Sequence, residues 1–297
     1  MKNVVRLDPT TLSASACMRK IQLSNILGYQ PKIGKDEFDF GQALHRSAAL
    51  FREDRVLGKD FDVDKYIHTG VTYYAGRLCP KKSPRDLPNL IECIRDYCTT
   101  WNRSDPFVPL VSPEGKVGVE LPFEFPGFYE TDKTEVRLCG VLDAIGMEGE
   151  IPRILDIKHS ATKNIDVFMS NYERSIQFII YSWAIRQMNW VKFYPGIRVD
   201  GIFISNEYRG AKLVRSNVID VPEFQADRVI QHARDVAREI CLQLERGGEF
   251  TYNFSQCSSH YKKCEFDPLC NSPAQFQSFA LKAGYTQRVY NPATFGE

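Results

Sequence analysis

Residues 140–158 read GVLDAIGMEGEIPRILDIK, two apolar runs that each carry an aspartate. We expect the runs to be neighbouring strands of a hairpin, because a Gly-containing turn separates them. Side chains alternate along a strand, so Asp156 and Lys158 lie on the same face. In a hairpin, Asp143 and Asp156 then project at the same end, beside Lys158.

Two carboxylates that project at the same end of a hairpin lie close together and repel each other. A divalent cation relieves this repulsion by taking hard oxygen ligands from both. The pair therefore predicts a magnesium or manganese site. The competing interpretation is that both aspartates cap turns and that Lys158 is a solvated strand end. The triplet at 156–158 does not decide by itself, since composition alone predicts about two acid-x-Lys triplets. The second triplet, at 114–116, lies in a loop rich in Pro and Gly.

Two further motifs flank this pair in the sequence. Gln177 and Tyr181 stand four residues apart in an apolar segment that predicts a helix, so they share one face and their polar ends need partners. His45, in the segment Gly-Gln-Ala-Leu-His, lies on the apolar face of an earlier predicted helix. A lone histidine there is more often a satisfied core residue, whereas a nearby metal favours a ligand.

Taken in order, these motifs resemble those of the RecB-type PD-(D/E)xK nucleases, which include the CRISPR-adaptation exonuclease and related phage nucleases. The resemblance runs from about Ser13 to Cys270. Glu120, in Val-Glu-Leu-Pro-Phe, is similar to the acid that opens a strand in that family, but it is also interpretable as a strand-edge charge, so its role stays open. The matching residues are His45, Asp143, Asp156, Lys158, Gln177 and Tyr181.

The resemblance implies an α/β fold with a restriction-endonuclease-like core, in which helices flank a mixed central sheet. An N-terminal helical region and a C-terminal cysteine cluster accompany that core. Lys158 would orient the attacking water. The implied catalytic residues are Asp143, Asp156, Lys158, Gln177 and Tyr181, and the implied ligands of Mg²⁺ or Mn²⁺ are His45, Asp143, Asp156 and the Ile157 carbonyl.

Three cysteines cluster near the C-terminus as Cys257-x6-Cys264-x5-Cys270, and Cys17 lies far upstream. One cysteine before the core and three after it is similar to the iron-sulfur members of the family, which implies a four-iron four-sulfur cluster. Met18 stands where proline is usual, and the first gap is longer, so Zn²⁺ stays an alternative. The remaining cysteines lie in apolar patterns typical of core residues: Cys79, Cys93, Cys98, Cys139 and Cys241.

The 297 residues are 43% hydrophobic and 25% charged, which excludes a disordered chain. A net charge of +1 excludes a highly basic coating protein, so attraction to DNA has to come from local patches. No apolar run approaches the roughly 20 residues of a membrane span, and residues 1–13 lack a signal-peptide stretch. We therefore expect a cytoplasmic location.

Hydrophobic periodicity divides the chain into three regions, which we expect to form one domain. Residues 1–110 predict helices, including one over about 11–28 capped by Thr11 or Ser13. Residues 111–222 predict three strands, a long helix over about 167–191 and two more strands. Residues 223–297 predict a last helix and an irregular tail that carries the cysteines.

These features predict a metal-dependent deoxyribonuclease, an exonuclease or end-processing enzyme on single-stranded or unwound DNA in recombination, repair, replication or CRISPR adaptation. One alternative is a catalytically silent DNA-binding or assembly module within a larger complex of that kind, and another is a cysteine-ligated redox sensor. The full Asp, Asp, Lys, His set favours the enzyme. Expected phosphate contacts, each also interpretable as solvated charge, are Arg19, Lys20, His159, Lys163 and Arg174.

Overall fold

A computed structural model describes residues 2–32, 36–74, 83–259 and 262–291. The chain divides into two compact units, which cut across the three regions of the sequence because each draws on distant segments. Unit 1 combines Met1–Gly34, Pro122–Gly140 and Asp227–Glu297, and unit 2 combines Lys35–Leu121 and Val141–Ala226.

Helices and strands follow one another along the described residues. No helix within those ranges is both long and apolar enough to cross a bilayer. The helices are α1 (Pro9–Ser13), α2 (Met18–Ile21), α3 (Asp36–Val56), α4 (Val63–Tyr74), α5 (Leu87–Ser104), α6 (Ile165–Ser170), α7 (Ile176–Gln187), α8 (Glu223–Arg246), α9 (Asp267–Cys270) and α10 (Ala274–Gly284). The strands are β1 (Asn3–Leu7), β2 (Tyr29–Pro31), β3 (Phe107–Pro109), β4 (Val119–Glu130), β5 (Thr134–Glu148), β6 (Ile151–Ser160), β7 (Gly196–Ile204), β8 (Ala211–Arg215), β9 (Ser258–Ser259), β10 (Lys262–Lys263) and β11 (Tyr285–Gln287).

The central sheet is mixed, and helices flank it, as the sequence predicted. In unit 2, β6 pairs antiparallel with the end of β5, from Ala144↔Leu155 to Glu148↔Ile151, so the predicted hairpin forms. β7 runs parallel to β6, and β8 runs antiparallel to β7. Nearly every residue of β7 is buried, which explains its continuous apolar run.

The three helices α3, α4 and α5 pack over this part of the sheet and form a hydrophobic core of unit 2 with it. Gly70 allows α4 to approach α3 closely, since a Cβ at this position would lie 2.5 Å from Ser47 Oγ. Truncating the fully buried Phe51 to Ala would cost about 3–5 kcal/mol. The core includes Phe40, Leu44, Phe51, Tyr66, Leu90, Ile94, Tyr97, Ile157 and Ile202.

Unit 2 also buries a set of charges, Arg52, Tyr97, Asp105, Asp200 and Arg215, which we call the ion network. Arg52 donates to Asp105 at 2.8 Å and to Asp200 at 3.1 Å. Arg215 Nε donates to Asp200 Oδ1 at 2.6 Å. Two arginines thus face two aspartates, and the half-buried Arg55 adds a third positive charge, with its Nη1 3.6 Å from Asp105 Oδ2.

Unit 1 contains β1, which pairs parallel with the start of β5 from Asn3↔Thr134 to Leu7↔Leu138. We had predicted Thr11 or Ser13 as the N-cap of the first helix, and this prediction was wrong. Asp8 caps α1 instead, accepting from the backbone N–H of Thr11 at 2.6 Å. A small core of unit 1 contains Leu23, Phe266, Leu269 and Tyr285.

Two predicted helices are interrupted. The helix expected over 167–191 is two helices, α6 and α7, because the polar run Ser-Asn-Tyr-Glu-Arg-Ser at 170–175 forms turns between them. The helix expected over 11–28 is also broken, into α1, α2 and a π-helix at Gln22–Ile26. Strand β1 and helices α9 and α10 were absent from the prediction, whereas α4 lies in the region that we predicted to be helical.

Candidate metal centre and active site

Three elements of unit 2 bring one histidine and two acids together. Helix α3 carries His45, strand β4 carries Glu120 and strand β5 carries Asp143, and one ligand atom from each lies within 4.8 Å of the other two. His45 Nδ1 is 3.3 Å from Asp143 Oδ1 and 3.9 Å from Glu120 Oε1. We call these residues the His-Glu-Asp triad. Carboxylate oxygens with an imidazole nitrogen suit Mg²⁺ or Mn²⁺.

The backbone is specialised at two points of this triad. Gly41, one turn before His45, allows α3 to approach β6, since a Cβ there would lie 2.7 Å from the His159 ring. Glu120 has a φ of 43°, in the left-handed region that residues other than Gly rarely adopt. Such strain persists where the surrounding structure imposes it, often at functional sites.

Asp156 and Lys158 project from β6 beside the triad. Lys158 Nζ lies 2.6 Å from Asp156 Oδ2, as the period of a strand requires. Asp156 is completely buried, and its Oδ1 has no hydrogen-bond donor among the described residues. Asp143 Oδ2 accepts from the backbone N–H of Ile157 at 2.6 Å, which ties β5 to β6 at the site.

The protonation of the site reflects an excess of acid. Burial raises the pKa of Asp156 to about 6 despite the nearby charge of Lys158. Enclosure and the charge of Asp143 raise the pKa of Glu120 to about 7, although 42% of its side chain reaches solvent. Burial lowers the pKa of His45, but Asp143 and Glu120 outweigh it and raise that pKa to about 9. The site therefore holds protons that a bound cation would displace.

The ammonium group of Lys158 also faces two aromatic rings that sequence reasoning missed. Its Nζ lies 5.9 Å from the ring centroids of both Tyr172 and Phe178, within the range of cation–π attraction. The two rings stack on each other at 5.6 Å. Tyr172 lies in the turn between α6 and α7, where no periodic pattern marks it.

The predicted Gln177 and Tyr181 lie on α7, four residues apart. Gln177 Nε2 donates to Tyr181 Oη at 2.7 Å, so each satisfies part of the other's polar end. Tyr181 is buried and Gln177 is half-buried. Their roles in catalysis stay predictions, as does the role of the Ile157 carbonyl.

The donor set fits a hard divalent cation. His45 and Asp143, both predicted ligands, lie in the triad, and Asp156 adds a buried oxygen that lacks a donor in the described structure. Glu120, whose role the sequence left open, is the third member of the triad. The sequence feature that could have identified Glu120 as a metal ligand was its position at the start of a strand, before the two aspartates.

In unit 1, the four predicted cysteines line one cavity of about 250 Å³. Cys257 and Cys264 lie at the base of the β9–β10 hairpin, where the N–H of Cys264 donates to the carbonyl of Cys257 at 2.8 Å. The hairpin thus accounts for the long first gap. Cys270 ends α9, and Cys17 precedes α2.

The remaining cysteines are those that we predicted to lie in the core. Cys93, Cys98, Cys139 and Cys241 are buried free thiols, as predicted for core residues, and burial raises the pKa of each. Cys79 lies outside the described residues.

The expected phosphate contacts are dispersed. Arg19 is buried in unit 1, where it pairs with Glu249 at 2.7 Å. Lys20 faces Glu265 at 3.3 Å. In unit 2, Lys163 pairs with Glu207 at 2.6 Å, His159 packs against Phe40 with ring centroids 5.6 Å apart, and Arg174 is exposed. Arg19 therefore serves unit 1 as a structural cation.

No curated protein matches the chain. Among solved structures, that of SSO0001 is 12% identical, with 87% of each chain covered and a TM-score of 0.33. A candidate exonuclease from Eubacterium rectale is 11% identical, with 92% of each chain covered and a TM-score of 0.46. Residues 10–271 match the family profile of the PD-(D/E)XK nucleases, and the chain therefore belongs to the PD-(D/E)XK nuclease superfamily.

Proposed function

We propose that the protein is a Mg²⁺- or Mn²⁺-dependent deoxyribonuclease of the RecB type, acting on ends of single-stranded or unwound DNA. The observation that carries the proposal is the His-Glu-Asp triad beside a buried Asp156 whose Oδ1 has no donor in the described structure. Recombination, repair, replication or CRISPR adaptation would supply such DNA, and a cytoplasmic location accords with it.

His45, Glu120, Asp143 and Asp156 would hold the metal, together with the carbonyl of Ile157. When bound, a divalent ion neutralises phosphate charge and lowers the pKa of a coordinated water. The N–H of Ile157 fixes Oδ2 of Asp143, so the other oxygen, Oδ1, already faces His45. This preorganisation avoids reorganising the carboxylate during the reaction.

Lys158 would place its Nζ against the attacking water and the charge that develops on the phosphoryl oxygens. The charges of Asp156 and Asp143 raise the pKa of Lys158 although its burial lowers it, so the amine stays protonated at neutral pH. A protonated Lys158 donates hydrogen bonds and is not a general base. Gln177 and Tyr181 would position Lys158 or the DNA backbone through their shared hydrogen bond.

We further propose that Cys17, Cys257, Cys264 and Cys270 hold a four-iron four-sulfur cluster. A tetrahedral zinc site needs sulfur atoms about 3.8 Å apart, from a Zn–S bond of about 2.3 Å. Among the described residues, the sulfurs do not form a group of three within 4.8 Å of one another, although they line one cavity. This wider spacing favours a multinuclear cluster over zinc.

The nuclease proposal is tested by incubating end-labelled single- and double-stranded DNA with the protein and Mg²⁺, Mn²⁺ or a chelator. We expect metal-dependent loss of label from single strands or frayed ends. Cleavage that persists with the chelator would overturn the metal mechanism. DNA binding without cleavage under every metal condition would instead favour the catalytically silent module.

The cluster is tested on protein purified without oxygen. We expect a brown protein with broad absorption near about 400 nm and about four irons per chain. Cys17→Ser should lose the colour and melt at a lower temperature, since metal binding contributes to the free energy of folding. Cys93→Ser, a buried control outside the cavity, should keep the colour. Colourless protein with one zinc per chain would refute the iron-sulfur assignment.

A further inference from the structure

Arg46 lies beside the His-Glu-Asp triad. It is half-buried, and it forms no ion pair within 4.0 Å in the part of the chain that the structure describes. Its guanidinium carbon stands 4.5 Å from the ring centroid of Tyr73. Its positive charge is close enough to Glu120 to attract that acid electrostatically.

The fold holds this pair in place. Arg46 follows His45 on α3, and Tyr73 lies on α4 one turn after Gly70, where the two helices approach closely. Ser47 Oγ donates to the carbonyl of Tyr66 at 2.9 Å and locks the helices together. Arg46 is therefore presented from the same helix as a metal ligand.

A second arginine in unit 2 shows what is unusual here. Arg186 stacks on Tyr194 at the same 4.5 Å, but its Nη1 also donates to Glu223 at 3.0 Å. Stacking on tyrosine is thus compatible with an ordinary surface ion pair. Arg46 differs because the N–H donors of its guanidinium pair with no carboxylate among the described residues, although the candidate metal centre lies next to it.

We propose that Arg46, supported by the ring of Tyr73, binds a phosphodiester of the nucleic-acid strand next to the metal centre. This rests on the proposed nuclease function. A guanidinium offers planar paired donors that match phosphate oxygens, and stacking of one face on an aromatic ring leaves those edge donors available.

The test measures binding of a fluorescein-labelled oligodeoxythymidylate by anisotropy, with calcium replacing magnesium, over a range of salt concentrations. We expect Arg46→Gln to weaken binding about tenfold or more, because a charge-assisted hydrogen bond is lost. The slope of log affinity against log salt should fall by about 0.7, the value for one phosphate contact on a single strand. Arg186→Gln is the matched control and should change neither quantity.

Tyr73 provides the second variant. Tyr73→Leu removes the cation–π support and should weaken binding about threefold, whereas Tyr73→Phe keeps the ring and should bind like the wild type. In cleavage assays with magnesium, Arg46→Gln should raise KM with little change in single-turnover rate at saturation. Melting temperatures of all variants exclude loss of fold as the cause.

Unchanged affinity and unchanged salt slope in Arg46→Gln would overturn this inference. The same holds if Arg186→Gln weakens binding equally. Oligonucleotides with and without a 5′ phosphate separate the two sources of phosphate: equal dependence on Arg46 supports an internal phosphodiester, and dependence only with the 5′ phosphate overturns it in favour of end recognition. Because binding is measured without cleavage, an inactive protein that binds through Arg46 would refute the nuclease proposal alone.

Discussion

The active site and the ion network of unit 2 both bury carboxylates next to cations, but they differ in how those carboxylates are satisfied. In the network, both oxygens of Asp105 and of Asp200 accept hydrogen bonds, chiefly from Arg52 and Arg215. In the active site, the Oδ1 of Asp156 accepts none from the described residues. The ion network, which serves the fold, gives its carboxylates enough positive charge, whereas the site that we propose to bind a cation is left short of positive charge.

The largest expected effect is on catalysis. Asp156→Asn and Lys158→Ala should each lower the rate of metal-dependent cleavage by about 10³-fold, because charge aimed at the transition state is lost. The melting temperature of Asp156→Asn should not fall, since this change relieves a buried acid that lacks a donor, whereas Lys158→Ala removes the cation that faces Asp156 and should melt at a lower temperature. Single-turnover cleavage and thermal denaturation measure the two effects.

Lys116→Ala is the control for these variants, because Lys116 belongs to the other acid-x-Lys triplet, at 114–116. It should cleave DNA like the wild type. Wild-type rates in Lys158→Ala would contradict the mechanism. A large loss of stability in Asp156→Asn would show that Asp156 stabilises the fold, as the ion network does.

A substitution in the ion network should lower the stability of the protein and leave its cleavage rate nearly unchanged. Asp105→Asn leaves Arg52 and Arg215 to share Asp200 as their one carboxylate partner among the described residues, and it should lower the free energy of unfolding by about 3–5 kcal/mol. Urea denaturation measures this loss. Cleavage by the fraction that remains folded should be close to normal, and a stable but inactive Asp105→Asn would show that the network acts on catalysis directly.

The two regions should also depend on pH with opposite signs. Burial raises the pKa of Asp105, but Arg52 and Arg215 outweigh it and hold that pKa below its usual range. Its stabilisation is complete above the unfolded pKa of about 3.9 and is lost as the pH falls toward the folded pKa. The pKa of Asp156 is raised to about 6, so without metal its ionisation costs stability as the pH rises from about 4 to 6.

Urea denaturation in chelator, repeated across this pH range, checks both signs. The stability lost in Asp105→Asn should shrink below about pH 4, and the stability of Asp156→Asn relative to the wild type should grow between about pH 4 and 6. Parallel pH curves for the wild type and both variants would remove the contrast between the two regions.

The smallest effect concerns the ring that faces Lys158. Tyr172→Leu should lower the cleavage rate by about three- to tenfold, because one cation–π contact that holds the ammonium group is lost. Tyr172→Phe keeps the ring and should retain the rate, as measured under single-turnover conditions. A loss of equal size in Tyr172→Phe would assign the effect to the hydroxyl group.

Much of the fold and site followed from local sequence patterns. The apolar runs around Asp143 and Asp156 predicted the β5–β6 hairpin, and strand alternation predicted that Asp156 and Lys158 share a face. The polar interruption at 170–175 was missed, because the flanking apolar residues continue the helical period through it. Tyr172, which lies in that interruption, was missed for the same reason.

The sequence by itself determined the chemistry that the chain carries: the acids, histidine, lysine and cysteines, and the period that sets which of them share a strand or helix face. Only the tertiary structure decided that Glu120 joins His45 and Asp143, and that Arg46 has no described acidic partner. Those facts depend on contacts between residues far apart in the chain, and a close approach such as that at Gly41 leaves no periodic trace in the sequence.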